Sequence, residues 1–305
     1  MGLELNPDQR LLAETLGKWA EGHGAIAPAD RALAWLDGRA QAAELREQGF
    51  LDACRIPELG LVGAVVLIDA VCRVPHAVEI GASGLVAPAL GLEPAGAPLA
   101  TMQAGGNRVA RFLAEGGSLL VDCGDHLRLA EGLAGADAGA GVEPVAAPYA
   151  YPVGRLNADP AGLGERLDGL CVNRFRRLLA LAQAAEAVSA MEAALALAID
   201  HVTSRVQFGR PIGSFQAVQH RLGECSAVVM AARWLIYRAA CEDAQGEAVA
   251  QAAIVTHDAM RRVLYDTTQF HGALGLTLEY PLHLWTYRLR ALQGDMAQAA
   301  AEASR

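Results

Sequence analysis

The sequence predicts a mainly α-helical chain in three parts: an N-terminal helical domain over residues 1–104, a reduced, β-rich middle segment over 105–169 and a C-terminal four-helix bundle over 170–305. Three observations lead there. Apolar residues recur at three- and four-residue steps in the first and last thirds. Glycine, proline and short strand-like runs concentrate between them. Helix formers dominate everything after Leu170.

The chain opens on Asn6-Pro7-Asp8, a cap followed by a residue preorganised for the first helical turn. Leu11, Leu12, Thr15, Leu16 and Trp19 then follow at helical spacing. Further short helical patterns follow, with breaks expected at Pro57, Pro75 and Pro88. Arg108–Leu113 and Ser118–Asp122 read as strands flanking the turn signal Glu115-Gly116-Gly117, and 132–152 reads as loop or loose strand. Beyond Leu170, a first helix spans Asn173 to Thr203, with Gly209 and Pro211 as its stops. A second starts near Ser214 as cap, a third runs from about Glu247 to His271, and a fourth begins near Pro281. Four long helices with short connections predict an antiparallel bundle.

Composition excludes several function classes. With 53% hydrophobic and 19% charged residues among 305, the chain is not a disordered one. A net charge of −9 argues against binding a phosphate backbone, which needs clustered Lys and Arg. The apolar run between Glu58 and Asp69 is about half of the roughly 20 residues that cross a bilayer, so no membrane span is expected there. Met1 to Arg10 carries Glu4 and Asp8 without a basic leader, so no secretory signal is expected. The 6 cysteines form no Cys-x-x-Cys pair and the 8 histidines show no metal-ligand spacing. No metal is expected, and a reducing, cytoplasmic location is. Gly139-Ala140-Gly141 lacks the strand and helix context of a dinucleotide-binding turn.

Two segments of the bundle carry more than packing requires. In Ser204-Arg205-Val206-Gln207-Phe208-Gly209-Arg210-Pro211-Ile212, followed by Phe215-Gln216-Ala217-Val218-Gln219, Arg205 ends a helix beside a tight turn. Its guanidinium can offer a fork of donors to a phosphate pair, with Phe208 as a flat apolar surface beside it. The alternative is an Arg that complements the helix dipole and a Phe in the core. In Gln269-Phe270-His271-Gly272-Ala273-Leu274-Gly275, followed by Glu279-Tyr280-Pro281, two glycines leave room for a ligand backbone or phosphate, or simply stop a helix.

Taken in order, these motifs resemble the C-terminal domain of the acyl-CoA dehydrogenases, and the resemblance is specific over about Asn173 to Tyr280. It implies an acyl-CoA dehydrogenase-like layout and FAD at a subunit interface, with the bundle of one chain clamping the adenine–pyrophosphate end. Carried over by position, Arg205 pairs with the pyrophosphate and Phe208 packs near the cofactor. Gln216 and Gln269 hydrogen-bond it, and the Gly272-Ala273 backbone runs alongside. Ala273 stands where the motif usually has a second glycine.

The departures from the family are informative. The middle segment lacks the Thr-Glu-Pro-x-x-Gly-Ser-Asp and Trp-Ile-Thr stretches that frame the flavin ring and substrate. The α-proton of a thioester must be taken by a carboxylate. Where many members have Tyr-Glu-Gly-Thr, this chain has Leu292-Gln293-Gly294-Asp295, and the other family position falls at about Leu179. Asp295 is the weak candidate base; its plainer reading is a solvated residue near a helix break.

A retained clamp without ring-framing or base residues resembles the short subunit of heteromeric, α2β2 acyl-CoA dehydrogenases acting on CoA thioesters of sterol side chains. The resemblance implies a longer partner subunit that holds flavin ring, base and acyl-CoA, and an electron-accepting flavoprotein. Two other readings stand beside it: a self-sufficient homo-oligomer using Asp295 or Glu279, and a flavin-free scaffold subunit.

Overall fold

The computed structural model describes residues 4–94, 98–133, 141–147 and 149–303, so Gly139 and Ala140 and part of the 132–152 segment lie outside the described residues. Helix α1 (Pro7–His23) begins as its first residues dictate. Asn6 and Gln9 form a reciprocal capping box, with backbone-to-side-chain bonds of 2.8 and 3.0 Å. Strand β1 (Leu36–Asp37), α2 (Arg39–Glu47) and α3 (Gly60–Arg73) follow, and β1 pairs in parallel with β2 (His76–Ala77). A π-helical turn, Ala82–Val86, then runs into α4 (Ala87–Ala89). Pro88 therefore does not break the helical segment as expected: it lies near the end of one continuous helical run that stops at Ala89.

The middle of the chain forms two small sheets. One has the order β3 (Leu99–Gln103), β5 (Ser118–Asp122), β6 (Leu127–Ala130), β9 (Glu165–Leu167). The other has the order β4 (Val109–Arg111), β8 (Val153–Leu156), β7 (Val142–Pro144). Both expected strands exist, but they do not pair with each other. Phe112, at φ 64°, and the 3-10 turn Leu113–Glu115 redirect the chain, so β4 joins β8 while β5 lies parallel to β3.

The bundle consists of α5 (Val172–Ser204), α6 (Gln216–Cys241), α7 (Gly246–His271) and α8 (His283–Ala303). Helix α5 stops five residues before Gly209: the Thr203 and Ser204 hydroxyls donate to the Asp200 carbonyl and compete with the helical ladder. Ser214 is not the cap of α6. It lies in a 3-10 turn, its hydroxyl donates back to the Pro211 carbonyl, and Phe215 occupies the cap position without a side-chain bond. Helix α5 is long and apolar enough to cross a membrane, but most of that stretch is buried inside the chain, as in a core helix. Leu16 of α1, Ile68 of α3, Leu181 of α5, Met260 of α7 and Leu289 of α8 belong to one continuous core, so the N-terminal helices and the bundle are packed as a unit.

Glu79 links that core to the first sheet. Its carboxylate accepts from the Ala82 and Ser83 N–H groups and the Ser83 hydroxyl at the π-helical turn, and from the Leu99 N–H at the start of β3. Burial pushes its carboxyl up to about 7, against the hydrogen bonds from Ser83 and Ala82, and Glu186 adds to the rise. Between the ordinary value of 4.5 and about 7, the folded chain therefore binds more protons than the unfolded one. Stability is expected to fall as pH rises through that interval and to level off above it. Denaturant unfolding across pH 4.5 to 8 should show that slope in the wild type and a flatter one in Glu79→Gln.

Candidate functional site

Two places on α5 bear the chemistry read from the sequence. The first is its C-terminal end. Arg205 is the helix C-cap, with its N–H on the His201 carbonyl at 2.9 Å and its own carbonyl accepting from Ile212 at 2.9 Å. This closes the loop that leads into α6. Strands β10 (Val206–Gln207) and β11 (Arg210–Pro211) make a hairpin around Phe208 and Gly209, at φ 53° and 78°. A two-residue turn of this kind favours Asn-Gly, so a bulky Phe holds a strained conformation there. Its ring is 88% exposed and touches only the edge of Phe215, with centroids 6.2 Å apart. A core position for Phe208 is thereby excluded. Arg205 is exposed, and among the described residues its guanidinium has no partner.

Gln216 opens α6 and is exposed; Gln269, in the last turn of α7, and Gly272 and Ala273 just beyond it are exposed as well. The two glycines of this second motif have different jobs. Gly272 sits at φ 61° with open space around it, as a close approach by a ligand requires. Gly275 is buried, and a Cβ there would lie 2.7 Å from the Thr268 carbonyl, so its missing side chain serves packing. Ala273 has no positive φ and is accommodated without strain.

The halves meet through rings that sequence reasoning did not single out. His201 on α5 stacks on His271 at the end of α7, with centroids 4.6 Å apart, and Tyr280 packs 4.7 Å from His271. An unpaired guanidinium, an exposed aromatic on a strained turn, two exposed amides and an open glycine form a donor set that fits the adenine–pyrophosphate part of a dinucleotide.

The second place is a cleft of about 480 Å³ bounded by α5, α8, β3 and β4. Leu179 and Asp295, the two positions where a base was sought, both line it. Helix α8 runs unbroken through Gly294, so the expected helix break is absent. Asp295 is not a free carboxylate either: the Arg111 Nε donates to it at 2.8 Å, while Arg111 Nη1 donates to Glu186 at 2.8 Å. Burial works against the Arg111 charge, but Glu186 and Asp295 outweigh it and hold the guanidinium protonated well above its usual range. Glu279 is exposed and does not line this cleft.

Glu186, Arg111 and Gln183 were not picked out from the sequence, yet a signal was present. Gln183, Glu186 and Ser189 recur every third residue in an otherwise apolar, wholly buried stretch of α5. Such residues need partners. Ser189 finds Asp69 at 2.9 Å and Glu186 finds Arg111. Gln183 is only 6% exposed, has no hydrogen bond among the described residues and borders the cleft.

Residues 177–294 match the family model of the acyl-CoA dehydrogenase C-terminal domain. The chain is 37% identical over 109 residues to acyl-CoA dehydrogenase IpdE2 of Mycobacterium tuberculosis, a match covering 36% of this chain and 34% of that one. In structure it superposes on a chain of the ChsE4-ChsE5 complex from Mycobacterium tuberculosis with a TM-score of 0.73 at 19% identity, covering 99% of this chain and 97% of the other. A chain of the Tcur3481-Tcur3483 steroid ACAD gives a TM-score of 0.75 at 22% identity, with 98% of each chain covered. Residues 177–294 thus match the acyl-CoA dehydrogenase C-terminal domain, and the chain as a whole shares the fold of these solved structures. It spans about a third of the length of the curated relatives that it matches.

Removing Arg111 leaves the buried Glu186 side chain without its ion-pair partner. Arg111→Ala should therefore cost about 3–5 kcal/mol of stability, measured by urea unfolding. Replacing Arg111 and Glu186 together with apolar residues should recover most of that loss. An equally unstable double variant would show that the pair is not what holds the cleft.

Proposed function

We propose that this chain is a subunit of a heteromeric, FAD-dependent acyl-CoA dehydrogenase, and that it completes the FAD site of a longer catalytic partner. The observation that carries this reading is the contrast between its two sites. The clamp end of α5 is exposed and, among the described residues, unpartnered, while Asp295, the acid beside the family's base position in the cleft, is tied up by Arg111. A group engaged in an ion pair is a poor acceptor for the α-proton of a thioester, so the base and the acyl-CoA are assigned to the partner. The family match supports oxidoreductase chemistry on a CH–CH bond of a CoA thioester, in which bound FAD takes up the hydride.

In this reading Arg205 offers its fork of donors to the pyrophosphate, Gln216 and Gln269 hydrogen-bond the dinucleotide, Phe208 packs against it, and the Gly272-Ala273 backbone leaves it room. Separation supports the division of labour. Glu186 and Arg205 are nineteen residues apart on α5, about 28 Å of helix rise, so clamp and cleft stand at distant points of one chain. The likeness to the steroid ACAD structure and to the ChsE4-ChsE5 complex supports an α2β2 assembly and a steroid side-chain thioester as substrate. Delivery of electrons to a flavoprotein acceptor and a cytoplasmic location, where six free thiols stay reduced, belong to the same reading.

Flavin content and native mass, measured for the chain alone and co-expressed with a longer acyl-CoA dehydrogenase chain, test it. One FAD per unlike pair in a heterotetramer, with flavin-free material alone, is the expected result. One FAD per chain in a homo-oligomer overturns it. Arg205→Ala should lower the flavin occupancy of the assembly, read from its visible absorbance; Asp295→Asn should leave turnover nearly intact, and a collapse in rate would make Asp295 the base.

A further inference from the structure

The ring stack beneath the clamp has a property that packing alone does not require. His201 lies one helical turn before Arg205, stacks on His271 and presents an edge to Tyr280 at 6.1 Å. His271 is buried and its Nδ1–H donates to the Thr267 carbonyl at 2.7 Å, which fixes its ring. The His201 ring is half-buried and, among the described residues, makes no hydrogen bond, so it is free to take up a proton. The charged and titratable groups around it are few: Asp200 and Arg205 on α5, His271 on α7 and Tyr280 beyond it.

Protonating His201 in the free chain places a cation beside Arg205 and on the face of a second imidazole. Burial and the Arg205 charge accordingly hold its proton affinity below the usual range, with Asp200 opposing. A pyrophosphate diester paired with Arg205 cancels the nearest repulsion and adds an attraction. By reciprocity, a ligand that favours the protonated ring binds more tightly when the ring is protonated.

We propose that His201, stacked between the two halves of the clamp, couples dinucleotide binding to proton uptake, so that this chain holds the adenine–pyrophosphate group more firmly as pH falls below neutrality. The proposal rests on the clamp reading above.

ADP-ribose is the probe, because it carries the adenine and the pyrophosphate diester without a phosphate group that titrates near neutrality. Its affinity for the flavin-stripped assembly with the longer chain, measured by calorimetry, should be about fivefold higher at pH 6 than at pH 8. His201→Gln should abolish that slope, whatever its effect on the affinity at pH 8. The ring-proton titration of His201, followed by NMR, should move to higher pH when the chain is saturated with ADP-ribose. A slope unchanged in His201→Gln, or a wild-type affinity independent of pH, overturns the coupling while leaving the clamp standing. No measurable binding, or binding undiminished in Arg205→Ala, overturns the clamp and the coupling together.

Discussion

Helix α5 has to be surrounded. It runs for 33 residues, about 50 Å of rise, with apolar and small side chains on every face for most of that length. A helix without a polar stripe gains from burial all round. The chain meets that demand by packing α3, α6, α7 and α8 against it, so that the N-terminal helices and the bundle share one core. Much of the remaining architecture follows from the partners its few polar residues then need. Ser189 bonds Asp69, Glu192 and Asp69 both pair with Arg233, and Glu186 pairs with Arg111. Those bonds reach α3, α6 and β4 in turn, and so tie the helical layers and the second sheet to one axis.

The Glu186 contact shows how closely that axis constrains its surroundings. A Cβ on Gly81 would collide with the Glu186 carboxylate, so the missing side chain at residue 81 lets the segment entering the π-helical turn pass without displacing that carboxylate from Arg111. Arg111, drawn to Glu186, also lies 4.7 Å over the Tyr151 ring, and the buried Arg288 approaches the same ring from α8 while donating to the Val74 and Pro75 carbonyls. Arg111, which lines the cleft, thus belongs to a knot of cations, carboxylates and one phenol that holds three parts of the chain in register. A cleft built this way is stiff, and its acids are engaged. The far end of α5 is the opposite: a strained turn, an exposed aromatic and a guanidinium that, among the described residues, has no partner.

This difference explains why the two sites were unequally legible. The clamp is local: Arg205, Phe208 and Gln216 fall within twelve residues, and Gln269 to Ala273 within five, so each half is a readable motif. The cleft is assembled from β4, α5 and α8, with Arg111 and Asp295 separated by 184 residues. No spacing rule reports such an encounter. The one trace of it was the polar triplet Gln183, Glu186 and Ser189 inside an apolar helix, which signals that partners must exist without naming them.

The sequence alone determined the helices, because their caps, periodicities and breaks act over a few residues. It also carried the motifs whose resemblance to the acyl-CoA dehydrogenase C-terminal domain agrees with the family model over residues 177–294. Tertiary structure decided which strands pair, because Phe112 turns the chain between sheets and nothing within three residues of it foretells the partner. It decided, too, that Gly272 stays open while Gly275 serves packing, since each role depends on what lies across from the backbone. And it decided that Asp295 is an ion-paired residue: a carboxylate's chemistry is set by the charge beside it, and that charge arrives from the other end of the fold.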